Sequence, residues 1–196
     1  GKLGESYYCQ YRVHIDPQTI AWYEERAQVV EDFHGNRKTL GVIIDITDRK
    51  YAEEQLRESE ERFKQIADTM PQIVWVTRPD GYHTYFNRRW FEYIGAPEEL
   101  TKGDGWSIPL HPDDQQRAKL RWQQSLQTGE AYEIEYRFRR HDGTYRWFLG
   151  RALPVYDSHG RISTWCGTCT DIHDFKESEA ARQKFMTLVE NNNDFI

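Results

Sequence analysis

The chain is short of cysteine and has no long apolar run, and each shortage narrows what it can be. Its three cysteines, Cys9, Cys166 and Cys169, form no paired disulfide framework and suit a reducing cytosol. No stretch approaches the apolar length of a membrane span and no signal peptide is visible, so a cytoplasmic location with no membrane contact in this segment is expected. Positive charge does not dominate either. A net charge of -6 argues against general nucleic-acid affinity, and the basic stretch Arg137, Arg139, Arg140 alternates with apolar residues as a solvated strand edge does. A glycine-rich phosphate loop, a nucleophile motif and a metal-ligand cluster are all missing, so neither a catalytic nor a metal site is expected. Cys166 and Cys169 have the spacing of a redox pair. On a strand, however, residues three apart point to opposite faces, and a thioredoxin-like pair needs a helix start to lower its thiol pKa.

What is present is a repeat. Tyr7, Tyr11-Arg12, Thr19, Trp22, Arg26-Ala27, Val30, Asp32 and His34-Gly35 return 125 residues later as Tyr132, Tyr136-Arg137, Thr144, Trp147, Arg151-Ala152, Val155, Asp157 and His159-Gly160. After one inserted residue, Gly41, Asp45-Ile46, Asp48 and Lys50 match Gly167, Asp171-Ile172, Asp174 and Lys176. A repeated unit of domain size implies an array. The spacing divides the chain into the C-terminal half of a first unit (1–47), a linker helix (48–62), a complete unit (63–175), and a linker helix with the start of a third unit (176–196). In that third unit Phe185 to Val189 resemble Phe63 to Ala67, and Phe195-Ile196 take the place of Ile73-Val74.

Within the complete unit, Ile73 to Thr77 is rich in β-formers, Pro79-Asp80-Gly81 is a turn, and Tyr82 to Phe86 reads as the return strand. Asn87 is placed to cap a short helix that Gly95 closes. A longer helix begins at Pro112, with Asp113 and Asp114 at the positive end of its dipole and His111 before it as a capping residue. Ala118, Trp122 and Leu126 recur along that helix until Gly129 ends it. Tyr132, Ile134, Tyr136 and Phe138 alternate with polar residues as one half-buried strand. His141-Asp142-Gly143 and Asp157-Ser158-His159-Gly160 then turn into two further strands, bulky on both faces, so both sides of the sheet are expected to be covered.

The order of these elements resembles the PAS domain and its C-terminal PAC motif. The resemblance is carried by Tyr136 to Arg140, Asp142-Gly143, Trp147, Gly160-Arg161-Ile162, Trp165, Gly167 and Asp171-Ile172. His111 to Asp114, the set Asn87, Trp90, Tyr93, Gly95, and Asp45-Ile46-Thr47 followed by Leu56, Ser59-Glu60 and Phe63 fit the same family. It implies an α+β fold: a five-stranded antiparallel sheet with helices on one face, joined to amphipathic linker helices. It also implies a pocket between sheet and helices. Similarity to the flavin-binding members would turn Phe138, Phe148, Trp165, Gly167 and Cys169 inward, with Trp75, Asn87, Trp90 and Trp106 as walls. Residues 96–110 lack the reactive cysteine of the photosensory flavin type, and the helix from Pro112 has no internal histidine for a haem, leaving His111 as the one option. A core filled by side chains, without a tightly bound cofactor, is the expectation; flavin and haem are the alternatives.

Ala52, Leu56, Phe63, Ile66, Ala67 and Met70 form an apolar stripe on an otherwise charged helix, and Leu56, Phe63 and Met70 are seven apart, as in a short parallel coiled coil. The competing reading is a helix lying on its own sheet. Asp45 to Phe63 spans 18 residues and Asp171 to Phe185 spans 14, a difference close to one helical turn. The resemblance thus points to a homodimer formed through the linker helices and the outer sheet face (Leu56, Phe63, Trp147), relaying a signal to an output domain outside this chain. The expected parent is a bacterial multi-PAS sensor histidine kinase. A flavin or haem redox or gas sensor, and the input array of a diguanylate cyclase or phosphodiesterase, are the alternatives.

Overall fold

The computed structural model describes residues 2, 4–17 and 19–192. It divides into two compact units, Gly1–Phe63 and Lys64–Ile196. The proposed third-unit residues Phe195-Ile196 lie outside the described residues.

The first unit is an antiparallel sheet of β1 (Ser6–His14), β2 (Ile20–Glu31) and β3 (Arg37–Asp45), in that order. Its hairpins are made by aspartates: Asp32 accepts the amides of His34 and Asn36, both at 2.9 Å, which closes the turn before β3. Ala21, Glu24 and Ala27 of β2 are buried, whereas every residue of β3 is exposed. Glu24 is held down to about 2 by Arg49 first, with Gln10, Arg26 and Tyr8 adding bonds against the opposing effect of burial. Helix α1 (Thr47–Thr69) starts where Asp45 accepts the Thr47 amide at 2.9 Å; of its apolar stripe Leu56 is 62% exposed and Ile66 52%, whereas Ala67 is buried.

The second unit runs β4 (Ile73–Thr77), β5 (His83–Phe86), α2 (Arg88–Ile94), two short 3₁₀ turns (Glu98–Leu100 and Asp104–Ser107), α3 (Pro112–Thr128), β6 (Tyr132–Arg139), β7 (Tyr145–Tyr156), β8 (Ile162–Asp171) and α4 (His173–Asn192). Its five strands form one antiparallel sheet in the order β5-β4-β8-β7-β6, so the last strand returns to lie beside the first. Trp90, Trp106, Leu110, Ala118 and Trp122 of the helical side meet Ile73, Trp75, Tyr136, Phe148 and Trp165 of the sheet in one core. β6 buries alternate residues, as its pattern requires. α3 is capped by the His111 imidazole, which accepts the Asp113 amide, and ends at Gly129 with φ 75°.

Two expectations need correction. Asn87 sits at the N-cap position of α2, but its side chain makes no cap bond. It turns inward instead, and its amide donates to the carbonyls of Ala67 (2.8 Å) and Gln72 (3.0 Å) while its oxygen accepts the Val74 amide (3.0 Å). The sheet is also not covered on both sides along its length. Tyr145, Trp147 and Leu149 are half-buried, with the Arg137 guanidinium over the Trp147 ring, but further along the strand Leu153 is 64% exposed and Val155 43%.

Candidate functional site

The interior between sheet and helices is built from large rings set against glycines. Trp75 on β4 lies opposite Gly167 on β8, where a Cβ would fall inside the indole ring and 2.7 Å from the Arg151 carbonyl oxygen. Tyr136 on β6 covers Gly150 on β7 in the same way, and its hydroxyl meets the Cys169 thiol at 3.2 Å. β5 and α2 supply a stack in which His83 lies on Phe86 (5.2 Å, 3° between planes) and Phe86 on Trp90 (4.6 Å). α3 delivers Trp122 edge-on to Trp75 at 5.5 Å and to Trp165 at 5.3 Å.

The space left is a cavity of about 10 Å³. That is about one water-sized probe sphere, whereas a cofactor pocket needs on the order of 300 Å³ or more. The residues present therefore do not fit a flavin or a haem, and His111, at the surface end of α3 against Tyr145 (4.6 Å), does not line the cavity.

Of the residues expected as walls, Trp75, Trp90, Trp106, Phe138 and Cys169 line this cavity. Trp165 is buried behind Trp122; Phe148 packs on Tyr93 (5.0 Å) and Phe138 (5.4 Å) and opens onto a surface cleft; Asn87 is the brace described above. His83, Phe86, Trp122, Tyr132 and Tyr136 complete the lining. Tyr132 and Tyr136 were available from the alternation that carries Phe138, and Trp122 from the helical stripe. His83 was not, since a four-residue strand has too little periodicity to say which face it shows.

Electrically the interior is neutral. Burial holds the His83 imidazole down to about 3, and it pushes the Cys169 thiol up to about 11 and the Tyr132 and Tyr136 hydroxyls up as well. None of these groups changes charge near pH 7. His83 Nδ1, Trp90 Nε1, Tyr132 Oη and Trp165 Nε1 are buried without a hydrogen-bond partner among the described residues. Cys166 is exposed and Cys169 buried, on opposite faces of β8. Among the described residues no cluster of three or more His, Cys, Asp or Glu is placed to hold a metal, and no helix is long and apolar enough to cross a membrane.

A polar chain of contacts leads from the helical side to α4. Asp114, buried in the first turn of α3, accepts the Arg137 amide (3.0 Å) and its Nε (2.8 Å). Burial pushes its carboxyl up, but the bonds from Arg137 outweigh this and leave it below the usual range. The Arg137 guanidinium lies over the Trp147 ring at 5.1 Å on the outer face. Trp147 accepts the Ile172 amide at 2.9 Å, and the neighbouring Arg146 bonds Asp171 (2.6 Å) and Asp174 (2.8 Å), which fastens the first turn of α4 to β7.

Residues 83–169 match the family model described as PAS fold. The chain is similar to an uncharacterised protein, y4lL, of Sinorhizobium fredii, with 32% identity over 91% of this chain and 22% of the relative. It is also similar to the peroxide stress-activated histidine kinase mak1 of Schizosaccharomyces pombe, with 28% identity over 92% of this chain and 12% of that one. The chain thus spans less than a quarter of either relative. A solved sensory box histidine kinase/response regulator from Burkholderia thailandensis superposes with a TM-score of 0.50 at 22% identity, over 66% of this chain and 98% of that structure, a likeness of fold. With the β5-β4-β8-β7-β6 sheet, its helical layer and the matched residues in agreement, the second unit of this chain belongs to the PAS domain family of sensory modules.

Proposed function

We propose that this chain is a non-catalytic sensory and dimerisation segment of a multi-PAS signalling protein, of the sensor histidine kinase type. In this reading residues 1–47 are the C-terminal half of a first PAS unit and residues 63–175 a complete one. α1 and α4 are the helices that carry a signal onward to an output domain of the same protein.

The observation that carries the reading is that the two units share register residue for residue. Arg12 pairs with Trp22 and Ala27 with Gly41 in the first; Arg137 pairs with Trp147 and Ala152 with Gly167 in the second. Each sheet then launches its helix by the same contact, Ile46 donating to the Trp22 carbonyl (2.8 Å) and Ile172 to that of Trp147 (2.9 Å). Relatives named as histidine kinases support that output. The neutral, filled interior supports a module that responds through packing rather than through a bound chromophore, and a packing change acts by biasing a two-state element.

The occupant of the exposed part of the stripe on α1 is the same stripe of a second copy, since Leu56, Phe63 and Met70 recur at the heptad spacing and Leu56 is exposed. Sedimentation velocity of the whole chain tests this. A dimer is expected for the parent sequence and a monomer for the Leu56→Asp, Phe63→Asp double variant. A parent that stays monomeric, or a variant that still dimerises, would overturn the assembly part of the reading.

A further inference from the structure

A cleft of about 390 Å³ opens on the surface of the second unit, where the start of β4, α2 and the β6–β7 turn come together. Arg89 of α2, Arg140 beyond β6 and Arg146 of β7 line it, against the carboxylates Glu92 and Asp171. Both carboxylates are already engaged, Glu92 by Arg88 (2.5 Å) and Asp171 by Arg146 (2.6 Å). Arg89 donates to the Met70 carbonyl and pairs with no carboxylate among the described residues. Arg140 pairs loosely with Asp142 Oδ2 at 3.6 Å, while Asp142 Oδ1 serves the Thr144 amide and hydroxyl. On a chain of net charge -6, the three guanidiniums of the lining outnumber its two carboxylates by one, and Arg89 is the one with no carboxylate partner among the described residues.

Gln72 and His141 add polar side chains to the lining, and one wall is apolar. Tyr93 and Phe148 stand edge to face at 5.0 Å, and the Tyr93 hydroxyl is turned away to donate to the Phe138 carbonyl at 3.2 Å. Pro71 and Ile73 extend this wall. Guanidinium forks match carboxylate oxygens in pairs, and the volume lies within the range of small-molecule sites, roughly 300–1,000 Å³.

We propose that this cleft binds a small organic monocarboxylate, with Arg89 and Arg140 taking the carboxylate and the Tyr93–Phe148 wall taking its apolar body. The single excess charge suits a monoanion, and the ring-lined wall suits a ligand that is more than an inorganic ion. The cleft shares Cys169 with the filled interior as a common wall but opens on the surface, and it does not depend on the assembly proposed above. Arg146 also lines it while holding Asp174 at 2.8 Å, so an occupant lies beside the contact that fastens α4.

Titration calorimetry of the whole chain with benzoate, its neutral analogue benzamide and inorganic phosphate, at matched ionic strength, tests the proposal. Saturable benzoate binding is expected, with benzamide weaker by about tenfold or more because the charge-assisted bonds are lost. The Arg89→Gln, Arg140→Gln double variant, changed only at exposed side chains, should weaken benzoate by about tenfold or more, whereas Lys119→Gln on α3 should leave it unchanged. Benzoate heats that do not saturate by ~50 mM, beyond the weak end of specific binding, would overturn it. So would benzamide binding as well as benzoate, phosphate binding as tightly as benzoate, or a double variant that binds like the parent.

Discussion

His83 shows what a single enclosed side chain does to the whole unit. Its ring is clamped between Phe86 and the indoles of Trp75 (5.0 Å) and Trp106 (5.5 Å), and burial holds its pKa at about 3 against an ordinary 6.5. Between those values the unfolded chain takes up a proton that the folded chain refuses. The stability that depends on a neutral imidazole is therefore complete above pH 6.5 and is lost as pH falls toward 3. Its limiting slope is about 1.4 kcal/mol per pH unit. Urea unfolding at pH 6.5 and 5.0 should show about 1.5 kcal/mol more loss in the parent than in His83→Phe, which keeps the stack but cannot titrate. Equal losses in the two proteins would mean that His83 does not carry the acid sensitivity. At Gly167 the constraint is steric, since any Cβ there enters the Trp75 ring. Gly167→Ala should cost on the order of 2 kcal/mol in the same assay, and a neutral substitution would show that Trp75 can move aside.

At the scale of elements, Asn87 joins three pieces of chain that sequence alone leaves separate: the end of α1, the start of β4 and the entry to α2. Asn87→Ala would strand the Gln72 carbonyl and the Val74 amide and leave the Ala67 carbonyl with only the long bond from the Met70 amide (3.4 Å). A loss of about 3 kcal/mol is expected, with no rescue by Asn87→Asp, which keeps the acceptor and loses both donors. Destabilisation of under ~1 kcal/mol would mean that water replaces these bonds. This is also where legibility ended. The alternation of β6, the Asp142-Gly143 turn and the stop at Gly129 are written locally, so the elements and the PAS order could be read from them. A cap and a brace use the same asparagine at the same position, and they differ only in partners that lie up to 20 residues away. The interior shows the same division. Ring positions with a strand or helix period could be found, whereas the filling of the cavity depends on how seven elements converge, which no local pattern records.

For the molecule as a whole, the contrast is between two sheets of the same register and different completeness. β8 lies between β4 and β7, and its residues 165–169 are paired on both sides; β3 is paired on one side, with β2, and all nine of its residues are exposed. In an antiparallel edge strand, alternate amides point away from the partner and have only water to bond. Hydrogen exchange should therefore be fast for about half of the amides in residues 37–45 and slow through residues 165–169, with protection differing by about 100-fold or more. Mass spectrometry of the whole chain, diluted until sedimentation shows a monomer, would read this directly. If a second copy adds a strand to β3, its protection should rise with concentration while that of β8 stays fixed. Equal protection of the two strands in the dilute monomer would mean that β3 is not an edge, and that the first sheet is closed by chain from within the same molecule.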